Sequence, residues 1–224
     1  MTRIALIHAL THSLAPINDA LARSWPEATR VNLLDDSLSA DLAHSGTLDA
    51  AMTQRFVALA DYAVSTGADA ILFTCSAFGP CIEAVKVRHA GIPVLKPNEA
   101  MIDEAVALVN ARGGSMGLLA SFAPTLPSML PEFPAGVQVQ TALAQSAMAA
   151  LNRGDMAGHD AAVLEASDQL VAAGCSVIAL AQFSMARTAA AVAARTGLPV
   201  LTTPDTAVRR LRLLLGCAQY AGRP

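Results

Sequence analysis

An α/β protein of two pseudo-symmetric halves is what this 224-residue sequence predicts, each half a Rossmann-like, three-layer unit around a parallel sheet. Three observations carry the prediction. Short apolar runs alternate along the chain with stretches whose apolar residues recur at spacings of three and four, the signature of strands and covering helices in turn. The segment GCSVIALAQFSMA lies without a gap over GADAILFTCSAFG, placing Gly174 over Gly67 and Gln182 over Cys75 at a common offset of 107 residues. Downstream, GLPVL at 197–201 repeats GIPVL at 91–95, with Pro199 and Pro93 offset by 106. Two copies of a strand–corner–helix–turn–strand unit at so long a spacing indicate an internal duplication, because solenoid repeats are far shorter. The expected division is residues 1–97 plus 205–224 as one half and residues 98–204 as the other.

Residues 3–9 form the first expected strand, with Ile4, Leu6 and Ile7 apolar, and it ends in a polar corner at residues 8–13. Leu14, Ile17, Leu21 and Trp25 then share one helical face, and Pro26 follows it. Residues 29–34 read as a second strand. Residues 35–46, rich in Asp and Ser, read as a loop and a candidate lid. Leu48, Met52, Phe56, Leu59 and Ala63 are spaced for a covering helix. The run Ala70-Ile71-Leu72-Phe73 is short, apolar and preceded by a turn, as a buried parallel strand should be. A helix is expected over about 80–89, a strand at 93–95, a helix over 101–109 and a strand over 115–120. Residues 138–144 alternate as a more exposed strand. Asp155 is placed to cap a helix carrying Met156, Val163, Ala166 and Leu170 inward, and Asp205 to cap the last one. That last helix turns Val208, Leu211, Leu215 and Ala218 to the core, which leaves Arg209, Arg210 and Arg212 on a solvated face rather than in a phosphate clamp.

Composition bounds the function classes. Hydrophobic residues make up 54% of the chain and charged residues 15%, enough apolar material for a substantial core. No apolar run approaches the roughly 20 residues of a membrane helix, and the N-terminus lacks a signal-peptide pattern. The expectation is a cytoplasmic protein with no membrane partner. A net charge of −3 gives no reason to expect nucleic acid. The four cysteines (Cys75, Cys81, Cys175 and Cys217) contain no C-x-x-C pair, and the five histidines offer no metal spacing beyond His8 and His12, which straddle a strand end. Neither a metal nor a disulfide framework is expected. No G-x-G-x-x-G or P-loop pattern appears, so no nucleotide cofactor is expected either.

The chemistry concentrates at the strand ends. Thr74-Cys75-Ser76 follows the buried strand at its carboxyl end, where open α/β sheets bind ligands. A cysteine there, ahead of a helix, is a candidate thiolate, whereas most free cysteines are small buried hydrophobes. Cys81, Cys175 and Cys217 fall inside helices or strands and read as packing residues. Ser121 and Thr125 stand at the end of a second strand, and Gln182, Phe183 and Ser184 at the end of the repeat's strand. Ser76 and Ser184 are equally placed to be plain helix caps.

Taken together, TCSAFGP, LLASFAPT and VIALAQFSMA resemble the aspartate/glutamate/hydantoin racemase superfamily, which also holds arylmalonate decarboxylase and maleate isomerase. The resemblance runs over essentially the whole chain. It implies two α/β halves with a site in the cleft, and cofactor-independent proton transfer at a carbon next to a carboxylate. It implies that Cys75 is the first catalytic cysteine and that Gln182 stands at the position of the second. Ser121 and Thr125 fall where members often bind a substrate carboxylate. Backbone N–H groups of Ser76 and Phe183 would help hold oxyanions, with the Thr74 hydroxyl, Ser184 and His8 nearby as substrate-binding candidates. An amide neither accepts nor delivers a proton at neutral pH. The pattern therefore implies one-sided chemistry at Cys75 (decarboxylation, elimination or isomerisation), with the thiol pKa lowered by the helix terminus. Two alternatives stand beside it. One is an amino-acid or hydantoin racemase whose second base is His8 or His12; the other is a small-acid-binding protein that has lost activity with its second cysteine. The implied partner is a small carboxylate or amino-acid-like substrate, and a homo-oligomer is compatible with the sequence.

Overall fold

The computed structural model describes the backbone of residues 2–221 and the side chains of residues 2–216. The chain divides into two compact units, Met1–Pro97 with Ala207–Pro224, and Asn98–Thr206. The chain is α/β throughout, and each unit is built on a four-stranded, all-parallel sheet.

In the first unit the strands are β1 (Arg3–His8), β2 (Thr29–Leu34), β3 (Ala70–Phe73) and β4 (Val94–Leu95), in the order β2-β1-β3-β4. In the second they are β5 (Ser115–Ala120), β6 (Val139–Leu143), β7 (Cys175–Leu180) and β8 (Val200–Thr202), in the order β6-β5-β7-β8. The two orders are the same, which is what a duplicated unit should give. Every residue of β3 and β5 is buried, because parallel strands covered on both faces have no solvent side. The second unit shows both covers. Leu119, Ile178 and Leu180 pack beneath Val163, Ala166 and Leu170 of helix α8 (Met156–Ala172). Leu118, Ala120, Val177 and Ala179 face the other way, against Met101, Ile102 and Ala105 of α5 (Glu99–Arg112).

Matching backbone features flank the two central strands. Gly67 and Gly174, at corresponding places before β3 and β7, both take left-handed φ values of 83° and 75°. They end the preceding helices, α3 (Ala50–Ser65) and α8, where a residue with a Cβ is strained.

Three expectations are corrected. Residues 35–46 are not a loop but mostly a helix, α2 (Ser37–Ser45), which buries Leu38 and closes on Gly46 at φ 68°. Its short apolar stripe of Leu38 and Leu42 is hidden among Ser, Asp and Ala. The helix expected over about 80–89 is present as α4 (Gly79–Arg88), preceded by a 3-10 turn, Ser76–Phe78. Asp205 does not cap the last helix, α10 (Thr203–Ala221), but sits in its first turn and accepts a hydrogen bond from the hydroxyl of Thr202 at 2.5 Å. Neither Ser76 nor Ser184 is a helix cap, since Cys75 and Gln182 hold the N-cap positions of the two 3-10 turns and no side chain caps either. The cap expected at Asp155 is present: its carboxylate accepts the Gly158 N–H at 2.8 Å. In α10, Val208, Leu211 and Leu215 are buried and Arg209, Arg210 and Arg212 exposed, while Cys217 and Ala218 lie outside the described side chains. Among the described residues, no helix is long and apolar enough to cross a membrane.

Candidate active site

Strand order alone places a crevice in each unit. β1 leads on to β2 at one side and β3 leads on to β4 at the other, so the connections diverge between β1 and β3. Open α/β sheets bind ligands at such a divergence, beyond the carboxyl ends of the strands. His8 ends β1, and Thr74 and Cys75 follow β3. In the second unit the same divergence lies between β5 and β7, where Ser121 and Gln182 stand.

In the first unit, packing fixes the Cys75 corner. Phe56 of α3 stacks on Phe73 with ring centroids 5.3 Å apart and meets Phe78 at 4.8 Å, so one ring anchors the chain on both sides of the cysteine. Cys75 itself is extended, at φ −127° and ψ 120°, and is only half-buried as a residue. Its thiol receives hydrogen bonds from the Ala77 N–H and the Ser39 side chain, and both favour the thiolate. Burial outweighs them and pushes the Cys75 thiol above its ordinary value. The expected lowering by the helix terminus is thereby corrected. The turn supplies one N–H to the sulfur, whereas the apolar wall around it (Ile7, Ala9, Leu38, Phe56 and Phe73) removes water.

Ser39 reaches Cys75 because α2 is strapped down. Leu38 is fully buried in the core under β1 and β3. Arg55 of α3 binds Asp35 at 2.7 Å, Asp41 at 2.6 Å and the Ser37 hydroxyl at 2.5 Å, gripping α2 and the residues before it. Sequence reading missed Ser39 and Arg55. The signal available was the Leu38–Leu42 spacing inside an otherwise polar segment.

His8 and Thr74 belong to a buried polar network beside this corner. His8 Nε2 donates to Asn32 Oδ1 at 3.0 Å, and that oxygen also accepts from Asn18 Nδ2 at 2.9 Å. This fixes the neutral tautomer with a bare Nδ1. Thr74 Oγ1 lies 2.8 Å and Ser13 Oγ 2.9 Å from Nδ1. The Ser13 hydroxyl donates to the Leu10 carbonyl at 2.8 Å, so the one Thr74 proton is shared between two acceptors each 2.8 Å away, Ser13 Oγ and the imidazole Nδ1. Desolvation lowers the His8 pKa, only partly opposed by the bond to Asn32. His8 is wholly buried and both ring nitrogens are engaged, so it works as a clamp on the β3 terminus. His12 lies half-buried in the neighbouring 3-10 turn, Thr11–Ser13.

In the second unit, three predicted residues come together. The Ser121 N–H donates to Gln182 Oε1 at 2.7 Å, and the Ser121 hydroxyl approaches the same oxygen at 3.3 Å. Gln182 Nε2 donates to Thr125 Oγ1 at 2.9 Å. Gln182 is extended, at φ −122° and ψ 148°, matching Cys75 at its counterpart position. Ser121 and Thr125 are almost fully buried and Gln182 partly buried. Phe183 and Ser184 are buried in the following turn, Phe183–Thr188, and Ser76 is buried in the Cys75 turn. A cavity of about 910 Å³ opens elsewhere, lined by Ser115, Gln138 and Gly174 among others. It lies at the amino ends of β5, β6 and β7, opposite the carboxyl ends where parallel sheets bind their ligands. Among the described residues, no group of three His, Cys, Asp or Glu side chains is arranged to hold a metal.

Solved structures share this architecture at low identity. Glutamate racemase isoform RacE1 from Bacillus anthracis superimposes with a TM-score of 0.75 at 15% identity, over 99% of this chain and 83% of that one. Allantoin racemase from Pseudomonas fluorescens gives 0.72 at 18% identity, over 97% and 92%. A glycine-to-cysteine mutant of arylmalonate decarboxylase, in a sulfate-associated form, gives 0.64 at 18% identity, over 96% and 93%. Among curated proteins, none matches the sequence. The Asp/Glu/Hydantoin racemase family model matches residues 10–211, nearly the whole length, and the chain belongs to that family.

Proposed function

We propose that this protein is a cofactor-independent lyase or isomerase of the racemase family in which Cys75 protonates a carbon next to a carboxylate from one side. The state of the thiol carries this reading. Burial holds Cys75 protonated at neutral pH, a handicap for a group that must first remove a proton and an advantage for one that must deliver it. Decarboxylation of a substituted malonate needs only the second act. The C–C bond to one carboxylate breaks, carbon dioxide leaves, and the electron pair stays on the α-carbon as an enediolate. The Cys75 S–H bond then breaks as the new C–H bond forms, and the thiolate recovers its proton from solvent. The Ala77 N–H and the Ser39 side chain both favour the thiolate form of the sulfur, so the thiolate left behind has two donors beside it.

A racemase with a second base fits less well. Gln182, at the second-cysteine position, carries no titratable proton, and the His8 imidazole is buried, neutral and bonded at both nitrogens. The test is carbon dioxide release from a panel of small α-substituted malonates. The wild type should turn over at least one member, and Cys75→Ala should reduce that rate to background. Undiminished turnover by Cys75→Ala would remove the thiol from the mechanism.

A further inference from the structure

We propose that the Gln182 carboxamide is an internal ligand, filling a cradle in the second unit whose donors are suited to a carboxylate. Resting on the family reading above, the proposal names what now occupies that cradle and what can replace it. Two donors, the N–H and the hydroxyl of Ser121, converge on the single oxygen Oε1 at 2.7 and 3.3 Å. Convergence of this kind suits an oxyanion, which accepts several hydrogen bonds at one atom. The third member, the Thr125 hydroxyl, accepts from Nε2 at 2.9 Å. A hydroxyl can turn its proton outward, so in front of a carboxylate the same Thr125 would donate. The planar amide, which accepts two hydrogen bonds and donates one, thus sits where a planar carboxylate would accept all three.

The surroundings support this. Ser121 is 3% and Thr125 1% exposed, and donors so buried must keep a partner. They stand at the divergence between β5 and β7, the place in this sheet topology where ligands bind. Gln182 reaches them from one residue beyond Ala181, whose N–H is tied to the Leu119 carbonyl at 2.9 Å. The tether gives the amide a high local concentration, on the order of millimolar or more, which a free acid must outcompete. Because the residue is only partly buried, its side chain has a way out to solvent. The unaltered chain should therefore bind small monocarboxylates weakly at this place, and a shortened residue 182 should bind them well.

The probe is sodium acetate, titrated calorimetrically into the full-length chain. Gln182→Ala should bind acetate at least tenfold more tightly than the wild type, and adding Thr125→Val should remove the gain. This readout involves no turnover, so it stands or falls separately from the role of Cys75. If Gln182→Ala folds, as judged by circular dichroism, and binds acetate no better than the wild type, the proposal is overturned. Gln182→Glu covers the case in which the shortened variant does not fold. Its carboxylate should occupy the cradle and titrate below the ordinary glutamate value of about 4.3 in a carbon-13 NMR titration. A value at or above 4.3 would overturn the proposal equally.

Discussion

Replacing Arg55 by alanine should loosen α2 and open the Cys75 thiol to reagents. The guanidinium makes two ion pairs to this segment, with Asp35 and Asp41, and all three side chains are partly exposed, at 33%, 28% and 57% respectively. Pairs so wet contribute at most about 1 kcal/mol each. Their joint loss, with the bond to Ser37, should shift the opening of α2 by about 1–2 kcal/mol, or about 5–30-fold. Leu38 would still resist, since burying a leucine fully is worth about 1.5–3 kcal/mol, and the helix should remain docked most of the time. The assay is the rate of iodoacetamide alkylation at Cys75, read by peptide mass. Cys81 is fully buried in the same core and reports global unfolding. We expect Cys75 to react about 5–30-fold faster in Arg55→Ala, Arg55→Lys to fall between, and Cys81 to be unchanged. Added salt should move the wild type toward the variant. An unchanged Cys75 rate, or an equal acceleration at Cys81, would refute the view that α2 shields the thiol.

Acid should reveal His8. Burial lowers its pKa, so the unfolded chain takes up a proton below 6.5 while the folded chain does not. Stability should be full above pH 6.5 and fall as the pH drops through the folded value. Denaturant melts at pH 7.5 and 5 should show this loss in the wild type and a smaller one in His8→Gln; an equal loss would place the sensitivity elsewhere. The duplication is tested by Gly67→Ala and Gly174→Ala, each of which forces an alanine into the left-handed region at a cost of about 1–2 kcal/mol. Similar losses of stability are expected in both, and a silent substitution at either would break the equivalence.

Much of the fold was legible because its signals are local. The run at residues 70–73 read as a buried strand, and its repeat around β7 marked the second sheet. Cys75 and Gln182 emerged as counterparts from the repeat alone, and their backbone angles match. What escaped were consequences of packing. The polar segment 35–46 gave little sign of α2, because its two leucines act only once β1, β3 and α3 are assembled beneath them. The thiol pKa was expected to fall on account of a nearby helix end, yet burial is set by residues as distant as Leu38 and Phe56. Likewise, Ser121 and Thr125 were legible as donors, but not that Gln182 would already hold them.

The central claim, one-sided protonation by Cys75, is tested most directly by decarboxylating a prochiral α,α-disubstituted malonate in deuterated water. A single thiol delivering from one face predicts a product deuterated at the α-carbon and of one configuration, as resolved by chiral chromatography and proton NMR. Cys75→Ala should form none of it above background. A racemic product from the wild type, or a single enantiomer still formed by Cys75→Ala at the wild-type rate, would contradict the account.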